Sequence, residues 1–272
     1  MKKTAIAILL LYLLVCFVGC SAKEKSESNT PAADSSISTQ EQPQSNMEEN
    51  SVQTKPVSEP YTKNTRIADV INDSAFGDYG RLIFPVNNGY YSGDTLGDLS
   101  LTWYSHIDAD KTVEIANYFK SHAEAGDIIF YDIYTEAEKA ADPAKADTGL
   151  FFFKGNPGER FAICNAGGGF AYVGAMHDSF PHALELSKKG YNAFALIYRP
   201  GWDTAVEDLA RAIGFIFEHA EELEVDTDCY SLWGGSAGGR MTAYLGSYGP
   251  AAFGGDDLPR PVSYTHLRAH ET

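Results

Sequence analysis

The chain has 272 residues, with 37 Asp and Glu against 21 Lys and Arg, and its formal net charge is −16 at pH 7. That balance argues against a nucleic-acid-binding protein, because a surface that tracks phosphates needs clustered Lys and Arg side chains. Neither H-E-x-x-H nor C-x-x-C occurs, so the sequence predicts no metal site, and nothing in it indicates a cofactor.

Residues 1–20 are predicted to be a lipoprotein signal peptide. Two lysines precede an apolar run from Ala5 to Val18, which is typical of a secretory signal and too short to span a membrane with ordinary flanks. Gly19 followed by Cys20 resembles a bacterial lipobox, and a lipidated Cys20 would tether the protein to the outer face of a bacterial cell membrane. A plain secreted signal with cleavage nearby is the alternative.

Residues 21–61 are predicted to be a disordered tether between the membrane and the folded part. The segment is rich in Ser, Glu, Gln, Pro and Asn and nearly empty of aromatic residues. Such a composition cannot bury enough apolar surface to offset the entropy lost on ordering. The rest of the chain suits a single domain.

Residues 62–148 are predicted to pack on, or to roof, the domain that follows. Apolar runs at 82–85 and 99–103 favour short strands, and 112–122 has the apolar spacing of a helix. Aromatic residues of this section are expected to pack in the core or on the surface, with stacking on sugar or phenolic groups as the alternative. They are Tyr79, Phe84, Tyr90, Tyr91, Trp103 and Tyr104.

Residues 149–261 are predicted to be the main domain, and two strand patterns open it. Leu150–Phe153 and Phe161–Cys164 are apolar runs of strand length. They flank Asn156-Pro157-Gly158-Glu159, a turn signal, and are therefore predicted to pair as antiparallel neighbours.

Helices and strands alternate after these two strands. A helix is predicted over Ser179–Lys188, closed by Gly190, and a strand over Ala193–Tyr198. Thr204-Ala205-Val206-Glu207 has the pattern of a capping box that opens the next helix. This alternation predicts a mostly parallel sheet, with ligand chemistry at the carboxyl ends of its strands.

A nucleophile elbow is indicated at Ser236. Gly234-Gly235-Ser236-Ala237-Gly238 is a G-x-S-x-G that follows the strand-like run Cys229–Trp233 and precedes a helix-like run. A serine on a tight strand-to-helix turn presents its Oγ above the sheet, and a Cβ at Gly234 or Gly238 would collide with the neighbouring strand and helix. A glycine-rich turn with an idle serine is the alternative.

A second glycine-rich segment, Asn165–Phe170, has the place and composition of an oxyanion loop. Acyl transfer needs backbone N–H groups aimed at the developing alkoxide, and consecutive glycines let the main chain approach where side chains would block it. The predicted donors are Gly168, Gly169 and Ala237. A phosphate loop is excluded, because neither G-x-x-x-x-G-K-[ST] nor G-x-G-x-x-G occurs in this segment.

These segments resemble the α/β-hydrolase superfamily, in the esterase/lipase branch that includes the hormone-sensitive-lipase-like, acetylxylan and feruloyl esterases. The resemblance covers residues 149–261 and rests on Asn165–Phe170, Ala195–Arg199 and Gly234–Gly239. It implies an α/β-hydrolase fold, with a mostly parallel central sheet flanked by helices. One departure is that Asn-Ala opens the first segment, where many members have the histidine of an HGGG loop.

The resemblance also implies an acidic residue and then a histidine after Ser236 in chain order. Asp256 and Asp257 come too early, because further strand-helix units are expected before the acid. Among the upstream histidines only His177 is near the predicted oxyanion loop. A helix-entry or surface role is expected for His177, with substrate contact as the alternative.

Residues 262–272, which contain His266 and His270, resemble the in-frame translation of a transposon-end sequencing adapter. We expect them to be foreign to the protein, and the domain to be truncated after the elbow helix. No apolar run of strand length follows Pro261, so no strand is predicted there. The triad Asp and His are expected in coding sequence beyond Pro261, and the chain as written is expected to be inactive.

Beyond the signal peptide, Cys164 and Cys229 are the remaining cysteines. They lie at opposite ends of their predicted strands, too far apart for a disulfide, so two free, buried thiols are expected.

The predicted function is that of a serine carboxylic-ester hydrolase. The resemblance implies that it removes acetyl or feruloyl-type groups from polysaccharide or small esters. The alternatives are a serine peptidase of the prolyl-oligopeptidase type and a non-catalytic, glycan-binding lipoprotein of the same fold.

Overall fold

The computed structural model describes residues 59–84, 89–102 and 107–267, with side chains to residue 264. The predicted signal peptide with Cys20, the tether up to residue 58, Trp103, Tyr104 and His270 lie outside the described residues. Everything described belongs to one unit, residues 55–272. Within the described ranges, no helix is long and apolar enough to cross a membrane.

Strands and helices alternate from residue 159 onward. The helices are α1 (Ile67–Ile71), α2 (Gly80–Ile83), α3 (Ala109–Ala125), α4 (Glu136–Ala141), α5 (Ser179–Lys188), α6 (Trp202–Glu218) and α7 (Ser236–Tyr248). The strands are β1 (Tyr91–Ser92), β2 (Ser100–Leu101), β3 (Phe130–Tyr131), β4 (Gly149–Phe153), β5 (Glu159–Asn165), β6 (Asn192–Ile197), β7 (Val225–Gly235) and β8 (Ser263–Leu267).

The central sheet has the strand order β3-β4-β6-β5-β7-β8. The pairings among β5, β6, β7 and β8 are parallel, and β3 and β4 are joined to the sheet by antiparallel pairings. Helices α5, α6 and α7 connect successive parallel strands. The predicted α/β fold, with a mostly parallel sheet flanked by helices, is confirmed. Because β5, β6 and β7 are parallel, the segments that follow them meet at one edge of the sheet.

Aromatic side chains fill the space between the sheet and its helices. Phe151 of β4 packs against Phe119 of α3 and Phe180 of α5, with ring centroids 5.0 Å apart in both pairs. Phe161 of β5 packs edge-on against Phe217 of α6 at 6.1 Å. These contacts fix the helices that carry the residues around the site.

The predicted hairpin between Leu150–Phe153 and Phe161–Cys164 is wrong, because β6 lies between β4 and β5. The intervening turn binds the start of β6 instead of bringing its own flanking strands together. The N–H of Gly155 donates to the side chain of Asn192 at 2.9 Å, and the N–H of Asn156 donates to the carbonyl of Gly190 at 2.8 Å.

Two local predictions are also wrong. Residues 82–84 belong to α2 and its end rather than to a strand. Ile83 and Phe84 are both buried, and a short run of apolar residues is compatible with either a buried helix or a buried strand. Thr204 does not cap α6, which begins at Trp202 after Gly201. The Thr204 hydroxyl donates to the carbonyl of Pro200 at 2.8 Å.

A strand is present where none was predicted, at β8, and the sheet therefore extends beyond the elbow helix. Strand β8 pairs with the backbone N–H and C=O groups at the edge of β7. Backbone pairing does not require an apolar run, so the sequence pattern did not indicate this strand. Tyr264 packs closely on Gly246 of α7. The origin of residues 262–272 stays a prediction.

Both described cysteines are free, as predicted. Cys164 is buried, and burial raises the pKa of its thiol. The expectation of burial is wrong for Cys229, which is only half-buried and lies in the part of β7, residues 227–229, that has no pairing partner on β5 because the register shifts there.

Candidate active site

The predicted elbow serine lies where β7 ends and α7 begins. Ser236 has a φ of 47°, a left-handed value that residues other than glycine rarely adopt. A residue held in this region stores about 1–3 kcal/mol of backbone strain. Ser236 is exposed. The turn therefore presents this residue outward at the carboxyl end of the parallel strands.

Close backbone contacts explain the two flanking glycines. A Cβ at Gly238 would lie 2.0 Å from the carbonyl oxygen of Asn165, and a Cβ at Gly234 would lie 2.4 Å from the carbonyl carbon of Gly238. Real Cβ atoms essentially never approach so closely, so a side chain at either position requires the backbone to move. These are the strand and helix neighbours that the motif predicts.

The predicted oxyanion loop follows β5 and lies against the serine. A Cβ at Gly167 would be 3.0 Å from the Cβ of Ser236. Gly168 and Gly169 have φ values of 140° and 62°, which favour glycine. A Cβ at Gly168 would also lie 2.0 Å from the carbonyl oxygen of Tyr172. The structure thus brings the glycine loop and Ser236 together.

The predicted oxyanion donors are not used elsewhere in the described part of the chain. The N–H groups of Gly168 and Gly169 donate to no described residue, whereas the N–H of Gly167 is engaged by a carboxylate. Ala237 is the second residue of α7, where helix N–H groups have no intrahelical acceptor. The role of each N–H stays a prediction.

Asp178 holds the loop beside the elbow, and the sequence analysis missed it. Its Oδ2 accepts a hydrogen bond from the N–H of Gly167 at 2.7 Å. The same oxygen would be 2.7 Å from a Cβ at Gly235, so the carboxylate lies between the loop and the elbow. Asp178 is the N-cap residue of α5, yet its side chain makes no cap hydrogen bond. An aspartate directly before a predicted helix was the available signal, but it indicates capping.

His182 lies one turn further along α5 and faces the same carboxylate. Its Nδ1 is 3.6 Å from Oδ1 of Asp178. The interaction with Asp178 raises the pKa of His182, against the opposing effect of burial.

Two further side chains hold the loop in place. The hydroxyl of Tyr198, just after β6, donates to the carbonyl of Ala166 at 2.7 Å. The amide of Asn165 donates to the carbonyl of Trp233 at 3.1 Å and to the hydroxyl of Thr242 at 3.2 Å. Asn165 therefore joins β5, β7 and α7 at the position where the resemblance implies a histidine.

The section before the main domain packs over the loop. Tyr90 stacks on Tyr172 with ring centroids 4.7 Å apart, and Tyr91 packs edge-on against the same ring at 5.9 Å. The hydroxyl of Tyr91 is 3.3 Å from Nδ1 of His177. Burial lowers the pKa of His177, which favours the neutral ring. His177 thus lies near the loop, in contact with this section, and substrate contact by it stays a prediction.

The predicted triad partners remain unassigned. Asp256 lies against α6, where its Oδ2 would be 3.1 Å from a Cβ at Gly214. The backbone of His266 is paired with Gly234 through β8, and its side chain is outside the described part. No group of three or more His, Cys, Asp or Glu that could hold a metal ion occurs among the described residues.

A family model and several solved structures match this part of the chain. Residues 157–256 match the model of the BD-FAE family, an α/β-hydrolase esterase family. The predicted resemblance of this region to the esterase/lipase branch of the α/β-hydrolase superfamily is confirmed. The match contains the glycine loop, Asp178, the Tyr198-Arg199 pair and the elbow.

The solved structures are of bacterial esterases. Esterase 2 of Thermogutta terrifontis is 30% identical over 36% of this chain and 40% of its own, with a TM-score of 0.33. A bacterial heroin esterase is 24% identical over 42% of this chain and 37% of its own, with a TM-score of 0.36. Esterase B of Lactobacillus rhamnosis is 19% identical over 52% of this chain and 47% of its own, with a TM-score of 0.38. The chain thus spans less than half the length of each, and no curated protein matches it significantly.

Proposed function

We propose that this protein is a serine carboxylic-ester hydrolase with Ser236 as its nucleophile. The observation that carries the proposal is the strained, exposed Ser236 at the β7–α7 turn, with the backbone of Gly167 packed against its Cβ. The esterase family match over residues 157–256 supports the same chemistry.

In the proposed reaction, Oγ of Ser236 attacks the carbonyl carbon of the ester. The carbonyl oxygen gains negative charge and accepts hydrogen bonds from the N–H groups of Gly168, Gly169 and Ala237. The alcohol then leaves, and water hydrolyses the acyl-enzyme. One such donor is worth about 10²–10³ in kcat, so a loop that holds two of them accounts for a large part of the rate.

A histidine base, oriented by an acid, is proposed to take the proton from Ser236 and to give it to the oxygen of the departing alcohol. No described histidine side chain is hydrogen-bonded to Ser236, so we propose that this pair lies outside the described side chains.

We propose acetyl or feruloyl-type esters of polysaccharide as substrates, on the resemblance to acetylxylan and feruloyl esterases. A lipid anchor at Cys20 would place the domain on the outer face of a bacterial cell membrane, where such polymers are accessible.

The anchor predicts that Cys20→Ser moves the protein out of the membrane fraction. Cys16→Ser, in the same signal segment, is the matched control and keeps the protein there. Membrane retention of the Cys20 variant would contradict a lipid anchor at this cysteine.

The nucleophile is tested by Ser236→Ala in a gene product that includes the predicted Asp and His. We expect turnover of p-nitrophenyl acetate to fall by more than about 10³, because the covalent route is lost. Ser247→Ala, on the same helix and exposed, is the control and keeps the parent rate. Circular dichroism establishes that both variants are folded. Activity of the Ser236 variant within tenfold of the parent would refute the assignment.

A further inference from the structure

Arg240 differs from the other arginines in the described part of the chain. Each of the others donates to, or pairs with, a carboxylate or a carbonyl group: Arg66, Arg81, Arg160, Arg199, Arg211 and Arg260. Arg240 is exposed, and no described carboxylate lies within ion-pair distance of it. Arg211 and Arg260 also have no acidic partner, but both donate to a backbone carbonyl, whereas Arg240 donates to no described acceptor.

Two aromatic rings support the Arg240 guanidinium. Its central carbon lies 4.8 Å from the ring centroid of Trp202 and 5.8 Å from that of Tyr244. Trp202 and Tyr244 are themselves packed edge-on at 5.0 Å. Cation–π contact restricts the guanidinium but occupies none of its N–H donors. The side chain is thus positioned before a ligand arrives.

This cluster adjoins the proposed catalytic site. Arg240 is four residues after Ser236 on α7, about one helical turn or 6 Å along the helix axis. Trp202 packs edge-on against Phe170, the last residue of the oxyanion loop, at 5.4 Å. The carbonyl of Phe170 accepts a hydrogen bond from the N–H of Gly201 at 2.8 Å. The aromatic support therefore runs from the oxyanion loop to Arg240.

We propose that Arg240, stacked on Trp202 and Tyr244, is a subsite for a carboxylate on the substrate. The preferred substrates are then esters that carry a free carboxylate besides the ester group, such as hemiesters of dicarboxylic acids or uronic acids acylated on a hydroxyl group. This inference rests on the proposed function for the reaction itself, but binding at the subsite does not require catalysis. A planar guanidinium binds a carboxylate through two parallel hydrogen bonds, which gives orientation as well as affinity.

The charge of the rest of the protein makes this local cation decisive. With a net charge of −16, the protein repels an anionic ester at long range. A preference for an anionic ester over a neutral one therefore depends on a short-range contact such as the one that Arg240 offers. Lysine at this position keeps the charge but loses the planar fork, so it is expected to be an incomplete replacement.

Equilibrium binding of two non-hydrolysable amides to the full-length protein tests the subsite. Glutaranilic acid carries a free carboxylate, and butyranilide is its neutral counterpart. Binding is followed by tryptophan fluorescence. We expect the parent protein to bind glutaranilic acid at least tenfold more tightly than butyranilide. Arg240→Gln removes this preference, Arg240→Lys keeps part of it, and Arg160→Gln keeps all of it. Arg160 is an exposed arginine at the opposite end of the parallel strands, so it controls for the loss of one positive charge.

Kinetics on the matching esters then separates this inference from the proposed function. For mono-p-nitrophenyl glutarate against p-nitrophenyl butyrate, Arg240→Gln lowers the ratio of kcat/KM values at least tenfold, and Arg160→Gln does not. Failure to hydrolyse either ester counts against the proposed function, while the binding preference still decides the subsite. Equal binding of the two amides by the parent, or an unchanged preference in Arg240→Gln, overturns the carboxylate subsite.

Discussion

Asp178 is predicted to determine the catalytic rate without contacting the substrate. Asp178→Ala removes the acceptor for the N–H of Gly167, the residue whose backbone packs on Ser236. The bond is 2.7 Å long, and its acceptor is a carboxylate only 18% exposed. A hydrogen bond to a charged group of this kind contributes about 1.5–3 kcal/mol. We expect the variant to lose stability in that range in urea unfolding.

The kinetic effect follows from the position of the loop. Without Asp178 the N–H groups of Gly168 and Gly169 remain but lose their fixed direction, so the loss in kcat is bounded by that of one deleted donor, about 10²–10³. We expect kcat for p-nitrophenyl acetate to fall about 10- to 100-fold, with KM changed less than threefold, because the donors act on the developing oxyanion. Asp178→Asn retains an acceptor oxygen and restores most of kcat.

The matched control is Asp228→Ala, an exposed aspartate near the amino end of β7. It changes the charge equally and is expected to leave kcat and stability near the parent values. Amide hydrogen exchange at Gly167 gives a direct structural readout, since its N–H becomes unprotected only in the Asp178→Ala protein. An unchanged kcat in Asp178→Ala, or an equal loss in Asp178→Asn, would refute the reasoning.

Two further predictions concern stability. Gly238→Ala is expected to lower the free energy of unfolding in urea by at least about 3 kcal/mol, because its Cβ would lie 2.0 Å from the carbonyl oxygen of Asn165. The control, Gly254→Ala, has a φ of 81° and open space around the new Cβ, and it is expected to lose only about 1 kcal/mol. Similar losses in the two variants would contradict the steric argument. The raised pKa of His182 means that its interaction with Asp178 stabilises the protein fully below the ordinary histidine pKa of 6.5 and is lost as pH rises through the folded-state value. His182→Gln is therefore expected to cost a few tenths of a kcal/mol at pH 5.5 and nothing at pH 8.5, and an equal cost at both pH values would contradict the linkage.

The elbow and the glycine loop could be predicted because their determinants are local. A G-x-S-x-G between a strand pattern and a helix pattern specifies which residues must lack a Cβ, and the contacts of Gly234 and Gly238 supply the neighbours. Strand periodicity likewise located β5, β6 and β7 near their observed bounds. These features are encoded within segments of about ten residues, so composition and spacing suffice to find them.

The strand order could not be predicted in the same way. The turn at 156–159 looked like a hairpin, but the position of β6 between β4 and β5 depends on bonds from Gly155 and Asn156 to Asn192 and Gly190. Those partners lie more than thirty residues away in the chain. A turn signal shows that the chain reverses and does not show which strand fills the space beside it.

Asp178 shows a related limit at the site itself. Directly before a helix, an aspartate is expected to cap the first turn, which is worth about 0.5–2 kcal/mol. The structure instead turns its carboxylate toward the N–H of Gly167 and leaves α5 without a side-chain cap. Local sequence favours the cap, whereas the tertiary contact aligns the loop with the elbow.

The oxyanion side of the proposed site is held by groups that lie within the described chain. Asp178 holds Gly167, Tyr198 holds Ala166, and Asn165 joins β5 to β7. None of these contacts involves the predicted base, so the geometry of the loop does not depend on the identity of that base. Loss of the base should therefore slow proton transfer while leaving ligand binding beside Ser236 intact. Binding and turnover consequently report on separate parts of this site, and measurements of both are needed to distinguish a missing base from a wrongly assigned nucleophile.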